Sequence, residues 1–147
     1  MNASGVAGRV LALDYGTKRV GVAMSDPLRV LAGGVGTWEN DVTLVGRISR
    51  LVTDEAVTLI VVGMPYAPDG GKGSKAKEVD AFIARLGGIV KVPVTTWDES
   101  YTSVDAHRVF QESGMKKKRR RERSQVDTMA ARILLQQFLD AQPATPS

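Results

Sequence analysis

Short apolar runs separated by turn-like residues predict a β-hairpin in the first part of the chain. Residues 10–13 form a run of four apolar side chains, which is typical of a strand buried on both faces. A turn-like stretch over 15–18 leads into a second apolar run over 20–24, so the two runs are expected to pair. A third strand is predicted near residues 35–38.

The pattern then changes to strands that alternate with helices. Buried strands are predicted over 58–62 and 92–97, and helices over about 41–53, from about 74, over about 103–112 and over about 125–139. The first helix would be capped by Asp41, and the apolar residues predicted on its inner face are Val42, Val45, Ile48 and Leu51, with Val52 as a further candidate. The apolar residues predicted on the inner face of the second helix are Val79, Phe82, Ile83 and Leu86. The order of elements predicts a mixed α/β sheet with helices on both faces.

Composition restricts the chemistry that this chain can carry. The 147 residues suit a single domain, predicted over 9–140 with flexible tails at 1–8 and 141–147. The chain has no cysteine, which excludes disulfides and thiolate zinc sites, and its one histidine, His107, argues against a multi-histidine metal site. It opens with no secretory signal and has no apolar run near the ~20 residues of a membrane helix. A cytoplasmic protein without a membrane partner is therefore expected.

Positive charge is concentrated in one segment, 116–123, which we call the basic arm. The chain carries a net charge of +4, and this segment alone contains seven bases and one acid. Clustered cations bind the phosphate backbone of nucleic acid by releasing counterions, although a solvated loop is the plain alternative. The predicted nucleic-acid contacts in the arm are Lys116, Lys117, Lys118, Arg119, Arg120, Arg121 and Arg123. Further contacts are predicted for Lys18 and Arg19 in the hairpin turn and for Lys72 and Lys75 in a glycine-rich loop.

Three carboxylates stand at the ends of predicted elements. Asp14 ends the first strand, Glu99 ends the last strand, and Asp127 opens the final helix. If these strands are parallel, their carboxyl ends meet at the sheet edge where α/β proteins bind ligands. Two carboxylates within ~5 Å repel by about 3 kcal/mol at an effective dielectric near 20, so such a cluster calls for protons, cations or metal.

Metal chemistry and structural roles are both open for these acids. Oxygen donors without histidine or cysteine favour Mg²⁺ or Mn²⁺, and two such ions about 4 Å apart can promote phosphodiester cleavage. Alternatively, Asp14 begins a turn, Glu99 is a surface residue, and Asp127 completes a capping box with Ser124.

Four segments carry a resemblance to a known family. They are LDYGTKRVGVAMSD at 13–26, VVGMP at 61–65, WDE at 97–99 and VDTMAARIL at 126–134. In their order and spacing, the chain resembles the YqgF/RuvX family over about residues 9–139. Members are described as Holliday-junction-resolvase-like proteins and as pre-16S rRNA nucleases. The resemblance implies an RNase H-like fold, a five-stranded mixed sheet flanked by helices, with Asp14, Glu99 and Asp127 as the catalytic, metal-binding carboxylates. Ser100 departs from the family, which usually has arginine there.

The leading hypothesis is a metal-dependent nuclease that acts on structured nucleic acid with two Mg²⁺ or Mn²⁺ ions. The resemblance favours processing of the 5′ end of pre-16S rRNA, with branched DNA such as a Holliday junction as the rival substrate. A non-catalytic RNA-binding factor in ribosome assembly is the alternative of another class. An ATPase of the actin-like group is disfavoured, because that group closes two such domains over its nucleotide. The chain is expected to act as a monomer or a homodimer.

Overall fold

A computed structural model describes residues 8–66, 71–98 and 119–142 of the chain, with the side chains of the last helix described from Ser124 onward. The elements in these ranges are β1 (Arg9–Tyr15), β2 (Arg19–Ser25), β3 (Ala32–Glu39), α1 (Leu44–Asp54), β4 (Val57–Met64), α2 (Ser74–Gly87), β5 (Val94–Asp98) and α3 (Arg119–Ala141). The predicted helix over 103–112 and most of both predicted tails lie outside the described residues.

The five strands form one mixed sheet in the order β3-β2-β1-β4-β5. The predicted hairpin is confirmed, because β2 runs antiparallel to β1 and β3 runs antiparallel to β2. On the other side of β1, strands β4 and β5 are parallel to it and to each other. The carboxyl ends of β1, β4 and β5 therefore share one edge of the sheet, as the candidate site requires.

Helices cover both faces of the sheet, as predicted. Alternate residues of β1 enter two separate cores, because successive side chains in a strand point to opposite faces. Leu11, Leu13 and Tyr15 belong to the core under α1 and α2, together with Phe82 and Leu86 of α2. The core under α3 contains Val10, Ala12, Ala23, Val61, Ala131, Leu134, Leu135, Phe138 and Leu139. Burial on both faces explains why β1 is a continuous apolar run.

The prediction that Val42 faces the core is wrong. Helix α1 begins only at Leu44, and its buried residues are Leu44, Ile48 and Val52. The Asp41 carboxylate accepts hydrogen bonds from the backbone N–H and the hydroxyl of Thr43, at 2.9 and 2.6 Å. These bonds hold residues 41–43 in a turn ahead of the helix, so the Val42 side chain is fully exposed.

Helix α3 begins at Arg119, six residues before its predicted start at 125. The backbone of the second half of the basic arm is therefore helical. In this helix Leu135 and Leu139 are buried, whereas Val126, Met129 and Ile133 are only half-buried. Among the described residues, no helix has the length and apolar character needed to cross a membrane.

Candidate active site

Helix α3 crosses the β1–β2 hairpin at Gly21, where the two backbones come into direct contact. A Cβ atom on Gly21 would overlap the carbonyl oxygen of Asp127 and lie 2.7 Å from its carbonyl carbon. The small side chain of Ala131 lies next to the same point, 3.4 Å from that Cβ position. A glycine inside an apolar strand is a signal for such close approach. Gly21 and Ala131 are thus small enough to let this helix come near the sheet.

Asp14 lies on the other side of the same glycine. It is the cross-strand partner of Gly21 in the β1–β2 ladder. Because its neighbours Leu13 and Tyr15 enter the core under α1 and α2, strand alternation turns Asp14 towards α3. Asp14 is half-buried. Two of the three predicted carboxylate residues, Asp14 and Asp127, thus flank Gly21 on one face of the sheet.

The Asp127 carboxylate is paired with Arg19, the first residue of β2. Arg19 Nε donates a hydrogen bond to Asp127 Oδ2 at 3.0 Å, and the two side chains are 31% and 29% exposed. The capping-box alternative for Asp127 is wrong, because Asp127 lies eight residues after the first residue of α3. Partly exposed ion pairs of this kind contribute about 0–1 kcal/mol to folding. The pair therefore controls the local charge of the site more than the stability of the fold.

A polar cleft of about 380 Å³ opens beside this ion pair, lined by Arg19, Thr37, Glu39 and Ser124. Glu39 is the cross-strand partner of Arg19. The Thr37 hydroxyl lies 2.7 Å from both the carbonyl oxygen of Ser124 and the hydroxyl of Thr128, which ties β3 to α3. The sequence did not identify Glu39, because its position opposite Arg19 depends on a register shift between Val22 and Ala23.

The turn between β1 and β2 holds Lys18 at the margin of the site. Asn40 clamps this turn by donating its side-chain amide to the carbonyl of Gly16 at 2.8 Å. Its backbone N–H donates to the carbonyl of Lys18 at 2.9 Å. Lys18 itself is exposed and next in sequence to Arg19, so it is open to a charged ligand at this end of the hairpin.

The predicted contacts Lys72 and Lys75 lie on the other side of the sheet. Lys72 Nζ pairs with Asp80 of α2 at 3.1 Å, and Lys75 is exposed in the first turn of that helix. Helix α2 packs against the core opposite α3. The structure therefore does not group these two lysines with Asp127.

The remaining predicted site residues are described in part or not at all. Glu99 directly follows Asp98, the last residue of β5, and lies outside the described residues together with Ser100, Lys116, Lys117 and Lys118. For Arg119, Arg120, Arg121 and Arg123 the structure gives the helical backbone of α3. Within the described ranges, no three aspartate, glutamate or histidine side chains form a metal-binding group.

The chemistry of the site suits a hard divalent cation. Asp14 and Asp127 offer carboxylate oxygens on the same face, and such donors favour Mg²⁺ or Mn²⁺. The close contact at Gly21 holds their backbones at fixed positions relative to each other. The two residues therefore fit a metal site that needs one or more further oxygen donors.

Comparison with known proteins places the chain among nucleases. A family model described as "RuvX: Holliday junction resolvase" matches residues 8–141. A protein of Parabacteroides distasonis is 38% identical over 135 residues, covering 91% of this chain and 96% of that protein. A protein of Koribacter versatilis is 40% identical over 139 residues, covering 93% and 90%. Both carry the name "Putative pre-16S rRNA nuclease".

Solved structures show the same fold at low sequence identity. The chain of Thermus thermophilus RuvC in complex with a Holliday junction substrate superposes with a TM-score of 0.54 and 13% identity. The match covers 90% of this chain and 94% of RuvC. The predicted RNase H-like fold is confirmed by this likeness.

Proposed function

Since the chain belongs to the RuvX family, a family of nucleases, we propose that it hydrolyses phosphodiester bonds in structured nucleic acid at the carboxylates beside Gly21. The observation that carries this proposal is the convergence of Asp14 and Asp127 on one close contact between sheet and helix.

We assign the metal-binding role to Asp14, Glu99 and Asp127. Trp97 of β5 packs in the α3 core, with its ring 5.8 Å from that of Phe138. Glu99 comes two residues after Trp97 in the sequence, and we take it as the third carboxylate because it matches the family's motif. Two Mg²⁺ or Mn²⁺ ions held there would supply an activated water and neutralise charge at the scissile phosphate. The three side chains would fix the position of the reacting phosphate relative to the sheet.

We assign the grip on nucleic acid to the cations around this site. Lys18 is exposed beside Arg19, and Arg123 precedes Asp127 by four residues of α3, which is about one turn or ~6 Å. The basic arm would extend this grip along the phosphate backbone. Lys72 and Lys75 would contact a substrate that wraps around the edge of the sheet towards α2.

The substrate that we favour is the 5′ end of pre-16S rRNA. The support is the name shared by relatives that cover nine-tenths of the chain. Such a substrate would place the protein in the cytoplasm, working as the single domain predicted over 9–140. Branched DNA is the second candidate, because the family description names Holliday junction resolvase.

Cleavage assays test the assignment of the site. Labelled pre-16S rRNA fragments and four-way DNA junctions would be incubated with Mg²⁺, Mn²⁺ or EDTA, using the natural chain, Asp14→Asn and Asp54→Asn. Asp54 is an exposed aspartate at the end of α1, on the opposite face, and serves as the matched control. Loss of a metal ligand should slow cleavage by about a hundredfold or more, whereas Asp54→Asn should retain full activity.

The outcomes separate the candidate functions. Metal-dependent cleavage that Asp14→Asn abolishes would support the proposal, and the preferred substrate would decide between RNA and branched DNA. Full cleavage by Asp14→Asn would overturn the assigned site. Tight binding of RNA with no cleavage in any metal would favour the non-catalytic assembly factor.

A further inference from the structure

We propose that Arg19 is a resting counter-ion of Asp127, which a divalent ion displaces on binding, and that the displaced guanidinium then contacts a substrate phosphate. This inference rests on the proposed function, because it takes Asp127 as a metal ligand. It adds a regulatory role for Arg19, in which occupation of the metal site prepares the site for nucleic acid.

The resting state is the ion pair seen in the structure. Arg19 Nε donates to Asp127 Oδ2 at 3.0 Å, and both side chains remain roughly 30% exposed. The pair therefore neutralises the carboxylate of Asp127, whose backbone contacts Gly21, the cross-strand partner of Asp14. Solvent reaches the pair, so a competing cation can reach it as well.

A metal ion and Arg19 compete for the same carboxylate. Metal–oxygen bonds to Mg²⁺ are about 2.1 Å long, so an ion on Asp127 would lie within about 5 Å of a guanidinium that kept its present hydrogen bond. Repulsion between a divalent ion and the guanidinium at that distance opposes simultaneous binding. Movement of Arg19 away from Asp127 relieves the repulsion.

The neighbouring cleft has room for the displaced guanidinium of Arg19. The cleft is lined by Thr37, Glu39 and Ser124 as well as by Arg19 itself, and Glu39 lies opposite Arg19 on the adjacent strand. A guanidinium in this cleft stays at the site margin beside the exposed Lys18. Its planar set of N–H donors matches a phosphate group, which a lysine ammonium matches less well.

The displacement couples the two ligands thermodynamically. Metal binding frees a phosphate-binding group, so metal should raise the affinity for nucleic acid, and nucleic acid should raise the affinity for metal by the same factor. Without Arg19, the increase in nucleic-acid affinity caused by metal and the increase in metal affinity caused by nucleic acid should both be smaller. A purely structural role for Arg19, in which it orients Asp127 for the metal, predicts the opposite change in metal affinity.

Mn²⁺ affinity provides the decisive test, measured by electron paramagnetic resonance without nucleic acid. The natural chain would be compared with Arg19→Gln and with Lys18→Gln, which removes the same charge one residue earlier. Arg19→Gln should bind Mn²⁺ about three- to tenfold more tightly, because both the ion pair and the repulsion are gone. Lys18→Gln should change the affinity by less than about twofold, since the Lys18 ammonium is exposed to screening solvent.

A second measurement follows Arg19 in the natural chain. The Nε–Hε resonance, assigned by its loss in Arg19→Lys, should shift during a Mg²⁺ titration with the same midpoint as metal binding. The affinity for a short RNA duplex would also be measured with and without Ca²⁺. The metal should raise this affinity in the natural chain, and the factor of increase should be at least about threefold smaller in Arg19→Gln.

Unchanged or weaker Mn²⁺ binding by Arg19→Gln, with normal binding by the natural chain, would overturn this inference and leave the proposed metal site intact. An Nε–Hε resonance that does not respond to Mg²⁺ would overturn it in the same way. If neither chain binds Mn²⁺, the metal site of the proposed function fails and the inference fails with it. Binding by Arg19→Gln alone would support the inference in its strongest form.

Discussion

The two faces of the sheet carry side chains of different size and polarity, and strand β1 contributes to both faces. Towards α1 and α2 it presents Leu11, Leu13 and Tyr15, and the Tyr15 ring lies 4.6 Å from that of Phe82. Towards α3 it presents Val10, Ala12 and then Asp14. Large side chains hold α1 and α2 against the sheet through side-chain contacts. Small residues on the other face bring the α3 backbone onto the sheet beside the carboxylates.

Helix α3 shows a similar difference between its later turns and the turns near the site. Its later turns bury Leu134, Leu135 and Phe138 in an apolar core. The turns near the site instead carry Asp127, paired with Arg19, and Thr128, which is bonded to Thr37. Under the proposed function, the apolar turns of α3 stabilise the fold and its polar turns carry the site, with the close contact at Gly21 near the polar turns.

The greatest loss of stability is expected from a substitution in the core under α1 and α2. Phe82 is fully buried, and Phe82→Ala should lower the free energy of unfolding by about 3–5 kcal/mol, because it leaves a cavity in the core under α1 and α2. Urea unfolding would measure the loss. Mn²⁺ affinity per folded molecule should stay unchanged. A fall in that affinity would show that the two faces are not separable.

A smaller loss of stability is expected from a substitution at Gly21, where α3 contacts the β1–β2 hairpin. In Gly21→Ala the new Cβ meets backbone atoms of Asp127, which cannot rotate away, so α3 must shift. Overpacking of this kind costs about 1–3 kcal/mol, and here it should also weaken Mn²⁺ binding, because Asp127 moves relative to Asp14.

Gly46→Ala is the matched control for that substitution. Gly46 lies inside α1, and apart from its chain neighbours and the backbone of its own helix no atom of the described residues lies within 4 Å of its Cβ position. Alanine there should stabilise the fold by up to about 1 kcal/mol without changing the Mn²⁺ affinity. A Gly21→Ala chain that binds Mn²⁺ normally would argue that the close contact does not set the geometry of the site.

The smallest effect concerns the loop between β2 and β3, which is held by a carboxylate instead of apolar packing. Hydrogen bonds from the backbone N–H of Leu31, and also from those of Val30 and Leu28, hold the pKa of Asp26 below its ordinary value. The stabilisation is present above the unfolded-state pKa of about 3.9 and is lost as pH falls through the lower folded-state pKa. Asp26→Asn should therefore reduce stability at pH 7 but have no effect in strong acid. Thermal unfolding at both pH values checks this, and a difference that persists in acid would contradict it.

The local pattern of apolar residues was sufficient to predict the elements in which buried positions recur at regular spacing. The apolar spacing of Val79, Phe82 and Leu86 predicted α2 correctly, and the apolar runs of β1 and β2 predicted their pairing. The error at Val42 arose because the helical period alone does not show where a helix begins. Hydrogen bonds that Thr43 donates to the Asp41 carboxylate hold the turn that precedes the helix instead.

Long-range contacts account for most of what the sequence did not predict. Nothing near Asp127 in sequence indicates Arg19 as its partner, 108 residues away. The early start of α3 had a local signal that was missed, because arginine is a good helix former even where apolar spacing is absent. Gly21 also had a signal, as an interior strand glycine, although the contact that requires it comes from another element.

The order of the elements along the chain has a consequence for synthesis. Both strands of the hairpin that carries Asp14 and Arg19 are made early, whereas α3, which supplies Asp127, follows all five strands. Until α3 has been made and has docked, the hairpin face is uncovered and Arg19 has no carboxylate partner from that helix. Because a growing chain folds from its amino-terminal end, the sheet can be assembled before the site exists. A nascent chain that lacks α3 therefore has no Arg19–Asp127 ion pair, and under the proposed function it also lacks one of the metal-binding carboxylates.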